Sequence, residues 1–570
     1  MKNWRFYFLV AVVFLCFGVI IFRLFFLQVT KHSYYKAQAD SQHQNFQPIY
    51  PARGEIFMRD KNTDDQRLSL FPVAINKDFW KISIVPREIQ KKEETVKLLS
   101  PLLETREETL RERINKKDDP YEPLKSKVEQ GLVEKIKALN LEGILFDKEN
   151  WRYYPNNDLV CHLIGFLGMD GDTKVGRYGV EGYYEKELMG KVGLVEAKKD
   201  SSGEIISVGG SVINEPEDGA DLILTIDPNV SFFIEGKLAA IIKKLDAVKG
   251  TIIVMEVKTG AIRAMSTWPG FDPNKYNEVE NNRLFVNSAI SEIFEPGSIF
   301  KPITMAAALD AEVITPNTTY EDKGYTEVGG IIIKNALDKA EGVQTMTQVI
   351  EKSLNSGAIF VQQKLGKDGF RKYVEKFGFG EKTGIDLGGE EKGNISNLKK
   401  KNDVDYATMS FGQGIAVTPI QLVAAIGAIA NDGILLRPYI LERIKYKNGE
   451  EKITQPKEVR RVISSDAASR MTAMMVSAVK NGYSKKAGVE GYLIAGKTGT
   501  AQIPDPVKGN YSEETIHTFI EFFPAFNPRF VILIKVDKPK GINFSSDSIT
   551  PLAKELTEYL LNYYEIPPSQ

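Results

Sequence analysis

The longest apolar stretch lies near the start of the chain, where Phe6 to Phe22 is a run of seventeen residues without a charge, continued past Arg23 by Leu24-Phe25-Phe26-Leu27. An apolar helix of about 20 residues spans a bilayer core, and an arginine near its end can snorkel to the interface, so this stretch predicts one transmembrane helix. The rival is a cleaved signal peptide with Ala37-Gln38-Ala39 as its cleavage site; the run is too long for one and the site too distant. Lys2 and Arg5 on one side balance Arg23, Lys31 and Lys36 on the other, so flanking charge does not assign the orientation.

Beyond the anchor, Gln42 to Gly219 is polar and mixed. It holds an extended Tyr50-Pro51-Ala52-Arg53-Gly54-Glu55-Ile56 and a charged stretch from Glu93 to Asn115, in which Leu98, Leu99, Leu102, Leu103 and Leu110 recur at helical spacing. Gly-rich turns follow near Gly176 to Gly182 and at Gly209-Gly210, with no acid, base or nucleophile constellation, which suits a spacer or partner-binding region. The pattern changes at Asp221-Leu222-Ile223-Leu224-Thr225-Ile226-Asp227, a strand-like run that opens the last 350 residues. There Gly250 to Val257, a Lys258-Thr259-Gly260 turn and Ala261 to Met265 predict a hairpin. Helices are predicted after Ser298 and from Val349 to Leu365, a buried strand from Phe530 to Val536, and an amphipathic helix from Leu552 to Tyr563. The order implies an α+β domain, an antiparallel sheet with helices against it. The domains expected are residues 1–30 (cytoplasmic tip and anchor), 31–220 (non-catalytic pedestal) and 221–570 (catalytic).

Composition removes several function classes. Lys+Arg 74 against Asp+Glu 75 gives no basic surplus for nucleic acid. Cys16 and Cys161 cannot form a disulfide framework, and His32, His43, His162 and His517 lack ligand-like spacing, so neither metal nor cofactor is expected.

The candidate chemistry begins at Glu295-Pro296-Gly297-Ser298-Ile299-Phe300-Lys301-Pro302, a Pro-Gly turn running into an Ala-rich stretch. Ser298 then sits at a helix start, with Lys301 one turn on and above it. A serine needs a base to become a nucleophile, and a lysine can serve once burial and nearby positive charge lower its pKa. Ser-x-x-Lys alone is weak, because it recurs at Ser33, Ser396 and Ser477. Ser353-Leu354-Asn355, the only Ser-x-Asn in the chain, adds a hydroxyl able to relay a proton and an amide able to anchor the lysine and bind a substrate carbonyl. Lys-Thr-Gly occurs at Lys258, Lys382 and Lys497, the first two in turns. The third, in Ala495-Gly496-Lys497-Thr498-Gly499-Thr500-Ala501, has the small residues of a strand lying against a ligand. Lys497 with the Thr498 and Thr500 hydroxyls could hold a carboxylate, and the backbone N–H groups of Ser298 and Thr500 could form an oxyanion hole.

Ser-x-x-Lys with Lys-Thr-Gly is the signature of penicillin-binding proteins and serine β-lactamases. The order Ser298, Ser353, Lys497, together with Ser410-Phe411-Gly412-Gln413-Gly414-Ile415-Ala416-Val417-Thr418-Pro419 and Phe523-Pro524-Ala525, resembles class B penicillin-binding proteins. Arg23-Leu24-Phe25-Phe26-Leu27, Arg53-Gly54-Glu55-Ile56 and Gly179-Val180-Glu181 resemble the anchor and pedestal of that class, and no glycosyltransferase domain precedes them, unlike class A. The resemblance implies a penicillin-binding transpeptidase domain on an elongated N-terminal pedestal with one transmembrane helix. It implies a D,D-transpeptidase that cross-links peptidoglycan stem peptides outside the cytoplasmic membrane and is acylated by β-lactams. Ser298 would be the nucleophile, Lys301 its base and Ser353 the proton relay; Asn355 would bind the peptide, and Lys497, Thr498, Gly499 and Thr500 the terminal carboxylate. Partners implied are a lipid-linked wall polymerase and other divisome or elongasome membrane proteins, with the division role favoured. The alternatives are an elongation enzyme, a β-lactam sensor or hydrolase, and a catalytically silent scaffold. Glu521 stands where the family usually has glycine, and Phe285-Val286-Asn287 is atypical ahead of the active serine.

Overall fold

The computed structural model describes residues 4–26, 31, 46–61, 70–116, 119–171, 173–196, 198–199, 205–207, 212–400, 402–505 and 510–569. The chain divides into two compact units, neither continuous in sequence. One comprises residues 1–55, 186–221 and 446–450. It contains helix Trp4–Phe25 and a three-stranded antiparallel sheet in which Gly193–Glu196 lies between Phe46–Ile49 and Val212–Asn214. The expected anchor falls on that helix, of which the side chains at 5–7 and 9–14, with Leu27, lie outside the described residues. Among the described residues no helix is long and apolar enough to cross a membrane, so the single span rests on the sequence of Phe6 to Phe22.

The second unit holds two large sheets and, among the described residues, four two-stranded ones. A seven-stranded sheet runs Glu451–Ile453, Leu441–Lys445, Asp221–Leu224, Ile56–Arg59, Leu70–Ile84, Glu122–Val128, with Ile144–Tyr153 also paired to Leu70–Ile84. Against it pack helices Lys92–Leu103 and Glu107–Ile114, which bury Val96, Leu99, Leu103 and Leu110. The leucine periodicity therefore marks two helices, separated at Glu104 by a left-handed residue. The run at Asp221 pairs in parallel with Ile56 and Phe57, in this sheet and not in the catalytic one.

The other large sheet is five-stranded and antiparallel. Its strands are β1 (Lys249–Glu256), β2 (Ile262–Trp268), β3 (Ala495–Asp505), β4 (Asn510–Phe523) and β5 (Phe530–Asp537), in the order β2-β1-β5-β4-β3. One face packs on α1 (Pro228–Lys244) and the C-terminal helix Thr550–Tyr563 through Ile234, Leu238, Val254, Phe519, Leu556 and Leu560. Such apolar side chains contribute ~1.5–3 kcal/mol each when fully buried. The longer of the domain's other helices are α2 (Lys301–Asp310), α3 (Asn355–Lys376), α4 (Pro419–Ala430) and α5 (Ser465–Lys480). All twelve residues of α4 are buried, so it is a core helix with apolar surface all round. The predicted hairpin, the strand at Phe530 and the terminal helix are present. The helix predicted from Val349 to Leu365 is interrupted: Met346–Glu351 ends, Ser353 takes φ +56°, and α3 starts at Asn355.

Candidate active site

Ser298 occupies a single 3₁₀ turn, Gly297–Phe300, that runs directly into α2. Gly297 makes the turn possible with φ +59°, and its N–H donates to the Gly412 carbonyl at 3.0 Å. Pro302 lies in the first turn of α2, where a missing N–H costs nothing. Strand β3 passes close by. A Cβ on Gly499 would lie 2.9 Å from Ile299 Cγ2 and 2.4 Å from Thr518 Oγ1, so only glycine lets the strand lie against the turn. β3 is also an edge strand, paired only with β4, which leaves backbone groups on its other side for an added peptide.

Lys301 is 1% exposed. Its Nζ donates to the Ser353 carbonyl and, at 3.2 Å, to the Ser353 hydroxyl. Among the described residues it makes no hydrogen bond to Ser298, the contact expected from helical spacing, because Ser353 occupies the amine. Lys497, also 1% exposed, places its Nζ 2.9 Å from the same Ser353 hydroxyl and 2.9 Å from the Thr498 carbonyl. One hydroxyl thus lies between two buried amines. Burial, and then the charge of Lys497, hold Lys301 well below the usual lysine pKa, while burial brings Lys497 down to about 7. Two ammonium groups so placed repel, so the pair is driven toward carrying a single positive charge.

Asn355 opens α3, and its Nδ2 donates to the Lys334 carbonyl at 3.0 Å. The anchoring of Lys301 expected from this amide is supplied by Ser353 instead. Thr500 Oγ1 accepts from the Ser545 N–H at 3.1 Å and donates to Ser545 Oγ at 3.2 Å. Behind it His517, opposite Thr500 in register, meets Ser548 Oγ at 2.7 Å, and burial lowers its pKa to about 4. The Ser545–Ser548 turn escaped sequence reading, since a serine cluster carries no motif and its partner lies 45 residues away.

Ser298, Ser353, Asn355, Thr498 and Thr500 line one cleft of about 890 Å³, with Phe411 and Gln413 contributed by the loop before α4. The other Ser-x-x-Lys and Lys-Thr-Gly copies lie elsewhere: Lys258 pairs with Asp432, Thr383 is bound by Glu390, and Ser477 donates to Glu351. Ser33 to Lys36 is outside the described residues. Among the described residues no cluster suited to a metal ion occurs.

Comparison with known proteins places this geometry in a family. The Penicillin binding protein transpeptidase domain matches residues 250–558, and the Penicillin-binding Protein dimerisation domain residues 48–224. Stage V sporulation protein D of Bacillus subtilis is 36% identical over 434 residues, which is 75% of this chain and 66% of that protein. Peptidoglycan D,D-transpeptidase FtsI of Buchnera aphidicola is 30% identical over 572 residues, 99% of this chain and 96% of that one. Among solved structures, Penicillin Binding Protein 2X from Streptococcus thermophilus has a TM-score of 0.76 over 91% of this chain and 80% of its own, at 22% identity, a likeness of fold. With the transpeptidase domain matching more than half of the chain and a relative aligned almost end to end, the chain belongs to the penicillin-binding protein transpeptidase family, with the dimerisation domain ahead of the transpeptidase domain as in class B.

Proposed function

We propose that this chain is a peptidoglycan D,D-transpeptidase with Ser298 as nucleophile, held by the helix Trp4–Phe25 on the outer face of the cytoplasmic membrane and acting at the division septum. The observation that carries the reading is the Ser353 hydroxyl set between the Lys301 and Lys497 amines in the cleft lined by Ser298. A stem peptide ending in D-Ala-D-Ala lies along the open edge of β3, its terminal carboxylate near Lys497, Thr498 and Thr500. Ser298 Oγ attacks the carbonyl of the penultimate residue while Lys301, neutral through burial, takes the hydroxyl proton. The N–H groups of Ser298 and Thr500 stabilise the oxyanion. As the peptide bond breaks, Ser353 passes a proton from the lysine pair to the departing D-alanine amine. The amine of a second stem peptide then attacks the acyl-enzyme, forming the cross-link and returning the proton to Ser298.

A β-lactam imitates D-Ala-D-Ala, and its opened ring stays attached, so the acyl-enzyme persists. Mass spectrometry after penicillin treatment is expected to place one adduct on Ser298. Ser298→Ala abolishes it, and Lys301→Ala slows acylation by ~10²–10⁴-fold, the usual loss on removing a general base. An adduct on Ser33, Ser396 or Ser477, or undiminished labelling of Ser298→Ala, would overturn the assignment. The septal role is supported by relatives named FtsI and Stage V sporulation protein D. A tagged copy found along the sidewall and absent from the septum removes it. A lipid-linked wall polymerase and other divisome membrane proteins are the proposed partners.

A further inference from the structure

The Ser353-Leu354-Asn355 turn is not held by its own residues. Leu354 sits at the N-cap of α3 with no side-chain acceptor, and Ser353 before it has φ +56°, a conformation that non-glycine residues seldom adopt. The missing cap arrives from a hairpin twenty residues upstream of Asn355. Asn335 Oδ1 accepts the N–H of Asn355 at 2.8 Å and that of Ser356 at 3.1 Å, two of the first-turn N–H groups that have no partner within the helix. Asn335 Nδ2 faces both carboxylate oxygens of Asp322, at 2.9 and 3.1 Å. This fixes the amide's orientation, because only its oxygen can meet two N–H groups and only its nitrogen a carboxylate. Asp322, 1% exposed, also accepts from Ser356 Oγ at 2.6 Å, Glu341 N–H at 3.0 Å and Gly324 N–H at 3.1 Å. The neighbouring Lys334 carbonyl accepts the Asn355 amide.

We infer that Asp322 and Asn335 are positioning residues for the reaction: they cap α3 from outside, hold the Ser353-Leu354-Asn355 turn in its left-handed form, and through Ser353 set the Lys301 and Lys497 amines around Ser298. Neither bonds to Ser298 or to the two amines, and Asn335, although it borders the cleft, acts through the residues it holds. Their effect passes through the Ser353 carbonyl and hydroxyl, which are the partners of the Lys301 amine, and through the placement of the Asn355 amide at the cleft. Packing in a buried network is discrete, so loss of one member lets the turn leave its strained conformation and does not merely soften it.

The inference rests on the transpeptidase reading and is tested with the full chain and a fluorescent penicillin, resolving the acylation rate constant k2 from the preceding dissociation constant. Asn335→Ala is expected to lower k2 by roughly 10²-fold, the scale of loss for a misplaced catalytic group, with a much smaller change in the dissociation constant. Asn335→Asp sets two carboxylates face to face and is expected to be as impaired. The exchange Asp322→Asn with Asn335→Asp restores one carboxylate, one amide and an acceptor for the Asn355 and Ser356 N–H groups, at the cost of one acceptor for the Glu341 or Gly324 N–H, and is expected to recover k2 in part, above either single variant. A purely stabilising role would lower the unfolding temperature of the single variants while leaving k2 unchanged below that temperature, and this result overturns the inference. An exchange variant that regains stability but not k2 overturns it too, and this comparison decides the matter even where Asn335→Ala fails to fold. If the wild-type chain is not acylated at Ser298, the transpeptidase reading itself fails; if it is, and k2 survives the substitutions, only the positioning role does.

Discussion

Glu521 is the side chain that the domain places least comfortably. It is fully buried on β4 between Gly496 of β3 and Ile532 of β5; one oxygen accepts the Thr557 hydroxyl at 2.7 Å and the other has no partner among the described residues. Burial pushes its carboxyl up to about 8. Between the ordinary carboxyl value near 4.5 and that value, the unfolded chain releases this proton and the folded chain keeps it, so stability falls as pH rises through the window. By pH 7 the loss is about 3 kcal/mol from this one group, and Glu521→Gln, which keeps the Thr557 bond without an ionisable proton, is expected to recover it. Urea unfolding near pH 5 and near pH 7 measures the effect: the wild-type midpoint falls between them more than the variant's, and equal slopes would show that Glu521 titrates as an ordinary carboxyl. The family resemblance singled out this position as a departure, but its cost became visible only with the burial.

At the scale of elements, the cleft depends on β3 lying flush against the Ser298 turn. Gly499→Ala is therefore expected to displace the strand from the turn, because the added methyl would meet Thr518 Oγ1 and Ile299 Cγ2 well inside contact distance. Overpacking of this kind costs ~1–3 kcal/mol, and acylation should fall by more than stability does, roughly 10²-fold for a displacement near 1 Å. Acylation kinetics and thermal unfolding of the same sample separate the two; an unaffected acylation rate would mean that the strand accommodates the methyl. The small residues of Ala495 to Ala501 suggest clearance for a ligand, whereas at Gly499 the clearance is taken by Ile299 and Thr518. Strands β1, β2 and β5 were legible because their apolar runs are bounded by turn residues, and the Ser298 turn because Pro-Gly announces it. The break at Ser353 was not legible, since local propensity continues the helix and the cap that stops it comes from Asn335. The Asp322–Asn335 pair and the Thr500–Ser545 contact were invisible for the same reason: each joins residues far apart in sequence with no periodicity to betray them.

At the scale of the molecule, the seven-stranded sheet of the larger unit does not respect a cut at residue 220, whereas the five-stranded sheet lies wholly beyond it. The seven-stranded sheet takes Ile56–Arg59 and Leu70–Ile84 from the pedestal region, and Leu441–Lys445 and Glu451–Ile453 from the catalytic region. Removing residues 1–220 would strip Asp221–Leu224 of its Ile56–Arg59 neighbour and open a sheet edge, so the proposal that the pedestal binds partners has to be tested by surface substitutions in the full chain. Orientation can be argued from chemistry alone. Stem peptides are cross-linked outside the cytoplasmic membrane, so a transpeptidase anchored at Phe6 to Phe22 must carry every residue of the Ser298 cleft on that outer side. A phosphatase that matures only outside the cytoplasm, fused after Gln570, is accordingly expected to be active, and a reporter that matures only in the cytoplasm to be silent at the same position. Under the proposed topology, deleting Phe6 to Phe22 should reverse both signals and release the protein from the membrane fraction, because that stretch would serve as both anchor and export signal. The opposite pattern in the intact chain would confine Ser298 to the cytoplasm, away from assembled wall, and the proposed cross-linking reaction would have to be given up.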